Sequence, residues 1–136
     1  MSEQDVFDAL KYRIEADEDG TRCYYNNAGQ LHRDDGPAVE YADGPKYWYQ
    51  NGQKHRTDGP AVVGPNGYKE WYQDGQLHRT DGPAIEYSNG DKSWFQNGQR
   101  HRIDGPAVEW SSGAKAWHIN GERLTEAEFN QRVKAL

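Results

Sequence analysis

With 136 residues, the chain has room for one domain around a single continuous core, read here as a repeat domain over 1–136. A mean hydropathy of −1.19 taken alone would place it near the disordered class, but five Trp, nine Tyr and three Phe exclude that reading, because each ring buries a large area. Twenty-two acidic against 16 basic side chains give a formal charge of −6, which disfavours nucleic acid as a partner, and no apolar run approaches the ~20 residues of a membrane span.

The first residues, MSEQDVFDAL, are acidic rather than signal-peptide-like. Ser2 is a candidate N-cap, and Val6, Phe7 and Leu10 form an apolar stripe, so residues 1–11 are expected to be a capping helix. Residues 12–124 then repeat. A degenerate first unit carries Ile14-Glu15 and Gly20, with turns at 17–20 and 26–29 longer than their later counterparts. Such an atypical end protects an array from exposing an unpaired strand edge.

A shift of 23 residues superimposes HRDDGPA at 32, HRTDGPA at 55, HRTDGPA at 78 and HRIDGPA at 101, together with Trp48, Trp71, Trp94 and Trp117. A fixed period of this length marks an array whose units bury their faces only on their neighbours. In each unit two β-prone runs, Pro37–Tyr41 and Lys46–Gln50 in the first clear copy, flank a Gly-containing turn and read as a hairpin. A second turn follows at Asn51-Gly52, Asp74-Gly75, Asn97-Gly98 and Asn120-Gly121, the strongest short hairpin signal. After Leu124, Thr125 and Glu128 match a capping box, and Phe129, Val133 and Leu136 share a helical face, so 125–136 is expected to be a second cap helix. The expected fold is mainly β: one elongated, solenoid-like antiparallel sheet of consecutive hairpins, about 40 Å along its axis at ~10 Å per unit, with short capping helices at both ends.

The repeated His32, His55, His78 and His101, each with an Asp three residues on, invite a catalytic or metal reading. The period argues against it: an active site needs unlike groups at one point, whereas each repeat places the same groups ~10 Å from the last. The Asp is expected to close an Asx-type turn, the His to bond a neighbouring backbone or stack beside a column of core Trp rings, and the Arg beside each His to pair with the Asp. No catalytic residue, metal ligand or cofactor is therefore assigned. The alternative function is sequestration of a small anion or nucleotide by the ladder His55, Arg56, His78, Arg79, His101 and Arg102. Cys23, the single cysteine, is read as a packing residue, and its lack of an internal partner fits a cytoplasmic protein.

Positions that vary between units are free of the demands of the stack and are the better candidates for recognition. Tyr47, Tyr68, Glu70, Leu77 and Arg100 occupy such positions and include residue types favoured at interface centres.

The hairpin unit, with Trp48-Tyr49-Gln50-Asn51-Gly52 followed by Asp-Gly, resembles MORN (membrane occupation and recognition nexus) repeats over about residues 12 to 124, especially the divergent MORN-like proteins of bacteria, phages and large DNA viruses. It carries His-Arg-x-Asp-Gly-Pro-Ala where the usual MORN unit has His-Gly-x-Gly. The resemblance implies a hairpin array used as an interaction platform, some bacterial relatives being antitoxin-like. The expected function is thus non-enzymatic: a protein-binding scaffold, phage- or bacterium-encoded, acting as an inhibitor or antitoxin-like module on another protein.

Overall fold

Each unit folds as two successive hairpins of very short strands rather than one. In the computed structural model, which describes residues 2–136 and only the backbone of Phe7, Ala9 and Leu10, the first hairpin of every unit joins one long sheet. Eleven antiparallel strands make that sheet, in chain order: Arg13–Ala16, Arg22–Tyr25, Val39–Glu40, Lys46–Tyr47, Val62–Val63, Lys69–Glu70, Ile85–Glu86, Lys92–Ser93, Val108–Glu109, Lys115–Ile119 and Glu122–Leu124. It is open, not closed into a barrel. Three two-stranded hairpins flank it: Tyr49–Gln50 with Gln53–Lys54, Tyr72–Gln73 with Gln76–Leu77, and Phe95–Gln96 with Gln99–Arg100. Their Asn/Asp-Gly turns hold both central residues at positive φ, for example Asn51 at 48° and Gly52 at 82°, as a tight right-twisting hairpin requires.

The run Lys46–Gln50, expected as one strand, breaks at Trp48. Its N–H donates to the Ala61 carbonyl of the next unit (2.7 Å) while its carbonyl accepts from His55 N–H (3.1 Å), so its backbone leaves the ladder it came from. Trp71 and Trp94 repeat the bond, to Ala84 and Ala107. Trp117 has no following Ala, and Lys115–Ile119 runs straight through it.

Strand register assigns the two faces of the long sheet. One row holds Cys23, Val39, Tyr47, Val62, Glu70, Ile85, Ser93, Val108 and Ala116. The row facing the other way runs Arg22, Glu40, Lys46, Val63, Lys69, Glu86, Lys92, Glu109, Lys115. Apart from Val63, this second row alternates cation and anion, and opposite charges directly across strands contribute roughly 0.2–1 kcal/mol each. The Val39-Glu40, Ile85-Glu86 and Val108-Glu109 pairs and the Lys-x-Trp runs recurring every 23 residues carried this signal in the sequence.

Ala38, Ala61, Ala84 and Ala107 are fully buried, and Val39, Val62, Ile85 and Val108 nearly so. The Trp rings are not that core. Trp48, Trp71, Trp94 and Trp117 are half-buried, and among the described residues no Trp ring stacks on another. A strand pair between successive Trp residues keeps their rings too far apart to touch.

Helix α1 (Glu3–Lys11) starts at the expected Ser2 cap, closed reciprocally with Asp5. Of its expected stripe, Val6 is exposed, and the side chains of Phe7 and Leu10 lie outside the described residues. Helix α2 (Glu126–Lys134) has the expected Thr125–Glu128 capping box; Phe129 is buried with Ile119 and Leu124, with Trp117 and Val133 packed against them. Leu136 does not join this face, because the helix ends before it and it is 80% exposed.

Candidate functional site

The repeated His-Arg-x-Asp-Gly-Pro-Ala segment works as a clamp between units. His32, His55, His78 and His101 each accept, at Nδ1, the backbone N–H of the next unit's Asn51, Asp74, Asn97 or Asn120 at 2.9–3.0 Å. This backbone bond is the first of the two roles expected for His.

Each motif Arg lies over an aromatic ring. The guanidinium carbons of Arg33, Arg56, Arg79 and Arg102 sit 4.0, 3.9, 3.8 and 4.0 Å from the ring centres of Tyr24, Trp48, Trp71 and Trp94. The motif glycine packs so closely against the same guanidinium that a Cβ on Gly82 would lie 2.9 Å from Arg79 Cζ. Nε donates to the Asp two residues on, and Nη1 to the Pro carbonyl four residues on: in Arg79, to Asp81 at 3.0 Å and to Pro83 at 3.0 Å. Three of the four also reach a ladder glutamate, Arg33 to Glu40, Arg79 to Glu86 and Arg102 to Glu109. The expected Arg–Asp pairing is thus present, whereas the Asx turn is not: the residue two beyond each Asp is Pro, which has no N–H to donate.

As a unit, the alternative anion ladder is therefore occupied from within. Its His Nδ1 atoms are committed to backbone donors, and its Arg groups are sandwiched and hydrogen-bonded. Grooves remain between successive clamps, one of about 690 Å³ between residues 33–37 and 55–58 with Trp48 and Gln50 in its lining. Among the described residues no three His, Cys, Asp or Glu side chains are placed to share a metal ion.

The variable residues gather elsewhere. Tyr47 and Glu70 belong to the apolar row, each between two of its aliphatic residues. Tyr47 meets Tyr41 edge-on with ring centres 5.4 Å apart, and Lys54 Nζ lies 5.5 Å from the Tyr47 ring and 5.0 Å from that of Tyr72. Tyr68 packs edge-on to Tyr87 (5.9 Å) and donates its hydroxyl to Glu70. Tyr72 also bonds Glu70; burial first, then this carboxylate, pushes both phenols well above their ordinary range. Leu77 is the strand partner of Tyr72, and Arg100 that of Phe95 one hairpin further on, its guanidinium 5.3 Å from the ring.

Tyr47, Tyr68, Glu70 and Leu77 thus surround one tyrosine cluster, whereas Arg100 lies over Phe95, one hairpin further on. Tyr68 is half-buried and donates its hydroxyl to Glu70. Tyr41, Tyr72, Tyr87 and Lys54 were missed as members. For Tyr41 and Tyr87 the signal was the register Tyr41, Gly64, Tyr87, Trp110, in which Gly64 drops an aromatic and makes room for Tyr68, whose ring carbon would be 3.1 Å from a Cβ there.

Cys23 is free and half-buried, and burial pushes its thiol up, away from reactivity. No helix is long and apolar enough to cross a membrane among the described residues. In comparison with known proteins, no family model matches the chain and no curated protein matches it.

Proposed function

We propose that this chain is a non-enzymatic repeat scaffold that binds another protein through its tyrosine-rich face, in the manner of an inhibitor or antitoxin-like module. The observation that carries the reading is the division of labour between the two residue sets. The invariant polar groups are spent on holding units together, while the variable Tyr47, Tyr68, Glu70 and Leu77 gather around one tyrosine cluster. That face offers Tyr41 and Tyr87 at 42% and 38% exposure, an exposed Arg100, and half-buried Tyr47, Tyr68 and Leu77. Tyr and Arg dominate interface energetics, because they bring large area and several donors at low entropic cost.

The test is affinity capture from a lysate of the source cells on the immobilised chain, with Tyr41→Ala and Arg100→Ala run beside the wild type and each variant's Tm measured. A protein retained by the wild type and lost from both variants, at Tm values within ~2 °C, supports the reading. Retention by both variants overturns this face as the interface.

A further inference from the structure

The charge ladder has one missing member, and it is missing beside the one clamp Arg that lacks a glutamate. In three units the ladder carboxylate reaches Arg Nη1, Glu86 at 3.5 Å and Glu109 at 3.1 Å among them, while Val63 holds that register in the second unit and can accept nothing. Arg56 there keeps its Trp48 stack, its Asp58 partner and the Pro60 carbonyl, with no further anion among the described residues. Lys46 and Lys69 stand directly across strands from Val63 on either side. Each has a ladder glutamate on its far side only, and those glutamates serve Arg33 and Arg79.

We propose that this vacancy beside Val63 is a carboxylate-binding site, and that it takes an aspartate or glutamate side chain from an acidic segment of a protein partner; the choice of a protein occupant rests on the scaffold reading above. The sister units show what the site accepts: a carboxylate on a short stem, against a guanidinium prepositioned between a ring and a glycine. They also show that the position is reachable, because the glutamates that fill it elsewhere keep 32–37% of their side-chain surface exposed. Preorganisation favours binding here, since the Arg56 rotamer is already fixed by Trp48 and Gly59. A chain of net charge −6 repels acidic segments in general, so the local surplus of Arg56, Lys46 and Lys69 supplies selectivity as well as attraction.

The experiment is titration of the full chain with a hexaglutamate peptide, read by NMR at the Arg56 Nε–H and Trp48 indole N–H resonances, with hexaglutamine and inorganic phosphate as comparators. Hexaglutamate is expected to shift both resonances saturably and hexaglutamine neither. Val63→Thr keeps the binding, whereas Val63→Glu, which fills the vacancy from within, weakens it at least tenfold. Absence of a shift in the wild type overturns the proposal whatever the variants do. Equal affinity in Val63→Glu overturns it too, and phosphate binding as tightly as hexaglutamate replaces the acidic segment with a free anion. None of these failures touches the tyrosine face, whose variants are read by capture instead.

Discussion

Replacing Arg79 by Met removes the guanidinium while keeping the aliphatic stem, and so isolates what the clamp contributes. The lost terms can be sized. Stacking on the half-buried Trp71 at 3.8 Å amounts to about 1 kcal/mol. The charge-assisted bond to the Pro83 carbonyl, which would then lack that donor, is worth about 1–3 kcal/mol. The Asp81 bridge adds little, about 0–1 kcal/mol, because that carboxylate is 83% exposed. These three terms total about 2–5 kcal/mol, and with roughly 2.1 cal/mol/K of unfolding entropy per residue they lower Tm by roughly 7–17 °C. Asp81→Asn, by the same reckoning, lowers it by no more than ~3 °C. Thermal melts followed by circular dichroism measure both, and hydrogen exchange at Trp71 N–H reports whether the loosening is local, as nearest-neighbour coupling in an array implies. The reasoning fails if Arg79→Met melts within ~2 °C of the wild type, or if Asp81→Asn costs as much as Arg79→Met.

Gly82→Ala should destabilise by about 1–3 kcal/mol in urea unfolding, because its methyl group would sit against the Arg79 guanidinium. Burial, and after it the Glu70 carboxylate, raises the Tyr68 and Tyr72 phenols in the folded chain, so their contribution is complete below the unfolded phenol value of ~10 and is lost as pH climbs beyond it. Urea midpoints from pH 8 to 11 should therefore fall, and Glu70→Gln should flatten the decline. Burial, with Arg100 and Arg123 nearby, lowers His118, whose Nδ1 is buried without a hydrogen-bond partner. The unfolded chain then binds more protons, so stability drops as pH falls below ~6.5, and His118→Phe, the residue type at the equivalent Phe95, should reduce that slope in melts between pH 5 and 7.5.

The hairpin array, its turns and both helix caps were legible because each depends on local chemistry: Asn-Gly at positive φ, Ser2 or Thr125 closing on a carboxylate three residues on. What could not be read was where the chain bends. Trp48 looks like a mid-strand residue until the Ala61 carbonyl of the next unit claims its N–H, and no local pattern announces a bond across 13 residues. The Asp role went wrong for a readable reason, since the following Gly-Pro leaves no donor for an Asx turn. The candidate face was half legible: variation picked out Tyr47, Tyr68, Glu70, Leu77 and Arg100, whereas Tyr41 and Tyr87 share a register with Gly64 and Trp110, and Tyr72 one with Tyr49, Phe95 and His118, mostly aromatic positions that read as scaffold.

The second clear unit departs from the others on both faces at once, and the departures compensate. It loses a ladder glutamate at Val63 yet carries an acid at Glu70 on the opposite side of the sheet, and it loses an aromatic at Gly64, where the Tyr68 ring takes the space. A stack built from identical clamps tolerates this, because Ala61, Trp71 and the His55 bond are unchanged and the units on either side keep their own Arg–Glu pairs. Such an array need not spread its recognition evenly. Moving one negative charge from the ladder row to the apolar row makes one face locally cationic around Arg56 and anchors the tyrosine cluster on the other, without altering a residue on which the fold depends. Function in this chain is therefore best sought where the repeat is broken, within a unit whose neighbours secure its backbone.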